Sequence, residues 1–171
     1  MNESPPPGTP PASVTGVPDG WHVAQTVQPD PYQASGRYRE PTLCSDCGAL
    51  FHAGHWDWDD APDTAAIARC PACRRVRDKL PAGTLVLEGP FVQGHQQELL
   101  DLIRTEAEQE RRMHPMQRLM EVIAQPRRIQ CATTDIEMPQ RLGEAVRRTF
   151  DGVLTVRIDP LSYCARAYWR R

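Results

Sequence analysis

The chain has 171 residues, of which 40% are hydrophobic and 25% charged, and carries a formal net charge of −2. That composition is globular and suits one compact domain plus something small. Nothing at the N-terminus pairs a basic region with an apolar run, and no stretch approaches the length of a membrane span. The expectation is a cytoplasmic protein with no membrane partner, whose cysteines are reduced and not built into a disulfide framework. Charge is unevenly spread: residues 1–103 hold 7 basic and 13 acidic side chains (a difference of −6), and residues 104–171 hold 13 and 9 (+4). The C-terminal part is therefore the expected face for an anionic partner. Lys79 is the only lysine, so arginine supplies nearly all the positive charge. Arginine pairs bidentately with phosphate and stacks on bases, yet a GC-rich genome gives the same bias.

In chain order, residues 1–38 read as a disordered proline-rich tail, since nine of the 17 prolines precede Thr42 and such a segment cannot bury enough apolar surface to fold. Trp21 and Tyr32 offer points that could pin it, against the plainer expectation of a flexible extension.

Residues 39–80 are organised by Cys44-Ser-Asp-Cys47 and Cys70-Pro-Ala-Cys73, with 22 residues between the pairs. Two thiol pairs at this spacing can close one tetrahedral site, and four soft thiolates suit a structural Zn2+. Four protein ligands leave no open position for water or substrate. A thiol-disulfide role is the rival, but redox pairs usually come singly beside a βαβ pattern. Leu50-Phe-His52 and His55-Trp-Asp-Trp58 flank Ala53-Gly54 as a two-residue hairpin would. Trp56 and Trp58 are expected to cover the metal and pack it on the next domain, with base stacking as the alternative. His52 and His55 read as hairpin residues. Arg69, Arg74, Arg75, Arg77 and Lys79 surround the second pair; they form either a rim for a phosphate backbone or a solvated compensation for a doubly negative four-thiolate centre.

Residues 81–171 read as a two-layer α/β domain in the order β-α-α-β-α-β-β, so that the whole is an α+β protein. A strand at Thr84–Glu88 precedes a helix with Leu99, Leu100, Ile103 and Ala107 at core spacing. A second helix is expected after His114-Pro115, with Met116, Leu119, Met120 and Ile123 on one face. Arg128–Thr133 alternates as a strand, and Thr134-Asp-Ile-Glu137 matches a capping box for a helix carrying Leu142, Val146 and Phe150. Pro139 sits awkwardly early, which shifts the helix start by a residue or two. Cys131 and Cys164 read as buried small hydrophobes. Val153–Ile158 and Tyr163–Arg170 pair as a hairpin. If helices cover only one side of the sheet, Arg128, Gln130, Arg157, Arg166, Tyr168 and Arg170 form an open basic and aromatic platform of the kind that binds single-stranded RNA.

Cys44-x-x-Cys47-Gly48 with Trp56-Asp-Trp58, Cys70-Pro-Ala-Cys73-Arg-Arg75 leading to Pro81-Ala-Gly83, His114-Pro115, Thr133-Thr-Asp135 before a helix, and Trp169 form a combined pattern. By it, residues 30–171 resemble an uncharacterised family of small bacterial zinc-ribbon proteins. A more distant likeness is to the N-terminal part of the archaeal and eukaryotic adaptor for large ribosomal subunit export, which has two knuckle sets where this chain has one. That likeness implies a ribosome-related role.

Two function classes follow. One is a zinc-binding protein that docks on RNA or a ribosomal particle through Arg69, Arg74, Arg75 and Arg77 and the arginines of the terminal hairpin. The other is a zinc-ribbon protein-protein adaptor without nucleic-acid contact. An enzyme is not expected: the chain shows no phosphate-binding glycine loop, HExxH, nucleophile elbow or open metal set.

Overall fold

The computed structural model describes residues 28–34, 38–159 and 161–171. Most of the expected tail, Trp21 included, lies outside the described residues. The part that is described docks onto the metal module. There α1 (Pro31–Ala34) precedes β1 (Thr42–Cys44), β2 (Leu50–His52), β3 (His55–Asp57), β4 (Ala66–Ala68) and α2 (Pro71–Asp78). Tyr32 donates to Asp78 at 3.0 Å, and its ring lies 4.4 Å from the Arg75 guanidinium.

The module is a small sheet in the order β3-β2-β1-β4, with β4 parallel to β1. The expected hairpin is present. Ala53 and Gly54 have φ of 50° and 81°, the doubly left-handed turn whose twist matches its strands. Phe51 pairs opposite Trp56, and Tyr38 packs on both rings. The ribbon expectation changes at the second cysteine pair. Cys70 is the N-cap of α2, Pro71 opens the helix and Cys73 sits in its first turn. Proline pre-sets that first turn and lacks only an amide that would be unpaired there anyway. The module is thus one knuckle, one hairpin and one helix N-terminus.

The second part runs β5 (Gly83–Glu88), α3 (Pro90–Gly94), α4 (Gln96–Met113), β6 (Leu119–Gln125), β7 (Arg128–Thr133), α5 (Met138–Phe150), β8 (Val153–Asp159) and β9 (Cys164–Arg170). Its five strands lie in the order β6-β7-β5-β9-β8; β9 runs parallel to β5, and the other neighbours are antiparallel. Period-two alternation sends Leu85, Leu87, Ile129, Cys131, Ala167 and Trp169 to one face, where they meet Leu99, Ile103, Met138, Leu142 and Val146 from α4 and α5. Each fully buried Leu or Ile there contributes about 2 kcal/mol of transfer free energy. The Trp169 indole donates to the Asp151 carbonyl at 2.7 Å, which satisfies its one polar atom inside the core.

The sequence expectations differ from the fold in two further places. The expected second helix is strand β6: its edge-on pairing with β7 takes the Val122 and Ile123 run into the sheet, with a bulge between Leu119 and Glu121. The order is therefore β-α-α-β-β-α-β-β, the first α being the short α3. The capping box does not form: Glu137 is the N-cap of α5 and has no side-chain cap bond. Asp135 Oδ2 accepts from the amides of Glu137 (3.1 Å) and Met138 (3.3 Å), while Thr134 Oγ1 is engaged with Met116 and Arg118. Pro139 then falls in the first helical turn, where it costs no hydrogen bond.

Candidate metal centre and open sheet face

The Cys44–Cys47 turn is closed by Gly48 N donating to Cys44 O at 3.0 Å and by Cys44 N donating to Ala49 O at 2.8 Å, with Gly48 at φ 77°. This brings its sulfurs against those from α2. The Sγ atoms of Cys44, Cys47, Cys70 and Cys73 all lie within 4.8 Å of one another, and Cys47 and Cys70 are 3.8 Å apart. A tetrahedron with metal–sulfur bonds of about 2.3 Å has edges of about 3.8 Å, so the cage is compatible with a zinc ion. Backbone amides support it: Cys70 N approaches Cys44 Sγ at 3.3 Å and Cys73 N approaches Cys70 Sγ at 3.4 Å. The Cys70 sulfur thereby caps α2, where the helix end favours negative charge.

A residue with no sequence signal completes the site. Arg118, in the loop before β6, is 8% exposed. It donates Nη2 to Cys47 Sγ at 2.9 Å and Nη1 to Cys73 Sγ at 3.2 Å, with Nε on the Pro115 carbonyl at 2.6 Å. Its own amide is held by Thr134 Oγ1 at 2.8 Å. A four-thiolate ion centre carries a net charge of −2, and a buried guanidinium offsets part of it. Hydrogen bonds from the Cys70 and Cys73 thiols, then from Arg118, hold the Cys47 thiol far below the usual range. The same sharing, with Cys47 foremost, pushes Cys70 and Cys73 up when no ion is bound, so a bound ion would have to displace their protons. Trp56, Trp58 and Met116 pack around the cysteines, and the Trp58 indole donates to the Arg111 carbonyl of α4 at 2.8 Å. His52 and His55 flank the hairpin turn and, among the described residues, are outside the ligand cluster.

The expected basic rim is largely internalised or paired. Arg75 is 4% exposed and bound to Asp30 and to the Leu80 carbonyl, which corrects its assignment as a surface contact. It follows Cys73 on the inward side of α2, where the Asp30 carboxylate and the Tyr32 and Tyr163 rings enclose it. Arg69 pairs with Asp46 and Arg77 with Asp78. Arg74 lies 5.4 Å from the Tyr32 ring. Cys131 is fully buried, which pushes its thiol up to about 12, whereas Cys164 is only half-buried at the start of β9.

The sheet platform is assembled. All of α3, α4 and α5 pack on the core-facing side, and no described helix lies over the other. On that open face the register aligns Arg157, Arg166, Thr84, Ala132 and Glu121 in one row; Thr155, Tyr168, Val86, Gln130 and Ile123 in the next; and Val153, Arg170, Glu88, Arg128 and Gln125 in the third. Glu88 binds Arg128 and lies 3.5 Å from Arg170. Arg128, Gln130, Arg157, Arg166, Tyr168 and Arg170 thus share one surface, apart from the metal-side arginines, which belong to the other sheet's module.

Comparison with protein-family models, curated proteins and solved structures returns no match. What this chain does is read from its own residues.

Proposed function

We propose that the four cysteines hold a structural zinc ion and that the protein is a non-enzymatic factor that docks on RNA or a ribonucleoprotein, a ribosomal particle being the favoured case. The observation that carries the reading is the uncovered sheet face, where four arginines and Tyr168 lie in register with two glutamates, Glu88 and the edge-strand Glu121, among them. Cations and rings on an open sheet are the combination that binds phosphates and unstacked bases. Overall acidity limits the contact to this local patch, so binding is salt-sensitive. A four-sulfur cage has no vacant coordination position, which favours a structural role for the ion.

The test is gradient sedimentation of the tagged protein from gently lysed cells, with and without nuclease, at two salt concentrations. Co-migration with ribonucleoprotein particles that nuclease and salt both abolish is the expected result; a protein that stays at the top of the gradient in low salt overturns the docking reading. A second reading, a protein-protein adaptor, draws on Val153 and Ile123, which are 69% and 45% exposed at the two sides of the same face. Co-migration that resists salt and nuclease favours it.

A further inference from the structure

We propose that the β8–β9 half of the open face is a site for one nucleotide unit of a single-stranded nucleic acid, its phosphate held by Arg157 and Arg166 and its base laid on Tyr168. This rests on the docking reading and names the ligand chemistry of that face.

Arg157 and Arg166 are direct cross-strand partners. Like charges placed opposite each other on a sheet repel. Among the described residues neither arginine has an ion-pair partner, in contrast to Arg128 and Arg170, which share Glu88. The acid that follows on the same face, Asp159, is drawn into the turn. Its carboxylate accepts from Ser162 Oγ at 2.7 Å and from Leu161 N at 2.9 Å, and these bonds, with the Arg166 charge as a lesser cause, hold it below the usual carboxylate range, so it offsets Arg166 only in part. The fold therefore leaves a repulsion that a bound anion would cancel, and two guanidinium forks match phosphate oxygens.

Tyr168 is two residues beyond Arg166 on β9, which places it about 6.6 Å along the strand on the same face. It is 42% exposed. A hollow of about 510 Å3 opens here, floored by Val86, Thr155 and Tyr168 and bounded by Arg157 at one end and by Arg170 and Glu88 at the other. Such a volume accepts a ligand of nucleotide size. The charges also set a direction: phosphate belongs at the Arg157 end, beside which Arg166 lies as its cross-strand neighbour, because the arginines at the other end are already engaged by Glu88, whose carboxylate can accept from base N–H groups. A ring can stack on Tyr168 only if the base is unstacked, which favours a single strand over a duplex.

The experiment is fluorescence anisotropy of the metal-loaded full chain with a labelled mixed-sequence single-stranded decamer and with a duplex of the same sequence. The expected result is tighter binding of the single strand. Tyr168→Ala then weakens it roughly tenfold or more while Tyr168→Phe retains it, and joint Arg157→Gln and Arg166→Gln, which frees one phosphate, lowers the salt slope by about 0.7. Equal binding of the duplex, or wild-type affinity in the folded Tyr168→Ala and double-glutamine variants, overturns the site. If those variants still co-sediment with particles, the docking reading stands and this site falls. If the decamer binds as expected but no particle does, this site stands and the docking reading falls.

Discussion

The Arg118 guanidinium meets the Cys47 sulfur at 2.9 Å, so a side chain of the α/β part reaches into the metal cage of the module. Arg118 is tied at its other atoms to Pro115 and Thr134, which fixes the approach. Replacing it with methionine removes the donors and leaves thiolate charge buried without its counter-ion. Metal affinity is expected to fall about 10- to 100-fold, read by competition with a chromogenic chelator. Arg118→Lys keeps the charge but not the fork and should recover only part of the loss. Wild-type affinity in the methionine variant would show the contact to be incidental.

Cys70 has two tasks, as ligand and as cap of α2. In Cys70→Ser the hydroxyl can still cap, so any loss of structure reports the metal. The variant is expected to purify with less than stoichiometric zinc and with red-shifted tryptophan emission, because Trp56 and Trp58 pack on the cluster and metal and folding free energies are coupled. Full zinc content by mass spectrometry would refute the ligand assignment.

Asp30 and Arg75 form an ion pair whose side chains are 7% and 5% exposed. Asp30→Ala strands the guanidinium charge, at a cost of about 3–5 kcal/mol. Arg75→Met added to it removes that charge and should restore part of the stability. Urea denaturation of the single and double variants decides the matter: a double variant no more stable than the single one argues against the pair.

Burial pushes the Asp135 carboxyl up to about 6, with the Glu137 charge adding to the effect against two backbone hydrogen bonds. In the unfolded chain it titrates near 3.9. The folded state thus holds the proton more tightly, and the stability linked to it is complete below the unfolded value and lost as pH rises through about 6. The full change is about 3 kcal/mol, most of it between pH 4 and 6. Asp135→Asn cannot ionise, so its stability relative to wild type should climb over that window. Parallel denaturation curves at pH 4.5 and 7.5 for the two proteins would remove the basis for this expectation.

The cysteine spacing, the Ala53-Gly54 hairpin, the helix with Leu99 and Ile103, and the alternation of β7, β8 and β9 were legible because each is a local pattern with one physical solution. Met116 to Ile123 was not: apolar residues at i, i+3, i+4 and i+7 satisfy a helix, and only pairing with β7, which has no local sign, selects a strand. Arg118 gives no signal because its partners lie far away in sequence. Arg75 looks like any other arginine in a basic run until Asp30 folds over it. The open face could be read only as a condition, since which side the helices cover depends on crossovers and not on strand alternation.

The position of β9 bears on how the molecule is made. It is the last strand in chain order, yet it lies between β5 and β8. On a ribosome the cysteines, the metal module and the first helices emerge well before it. The module closes through short-range contacts while β5 waits with one edge unpaired, since pairings between distant segments form late. Until synthesis delivers β9, that bare edge is open to aggregation, and a metal ion taken up early by the four cysteines would give the nascent chain one folded anchor during the wait.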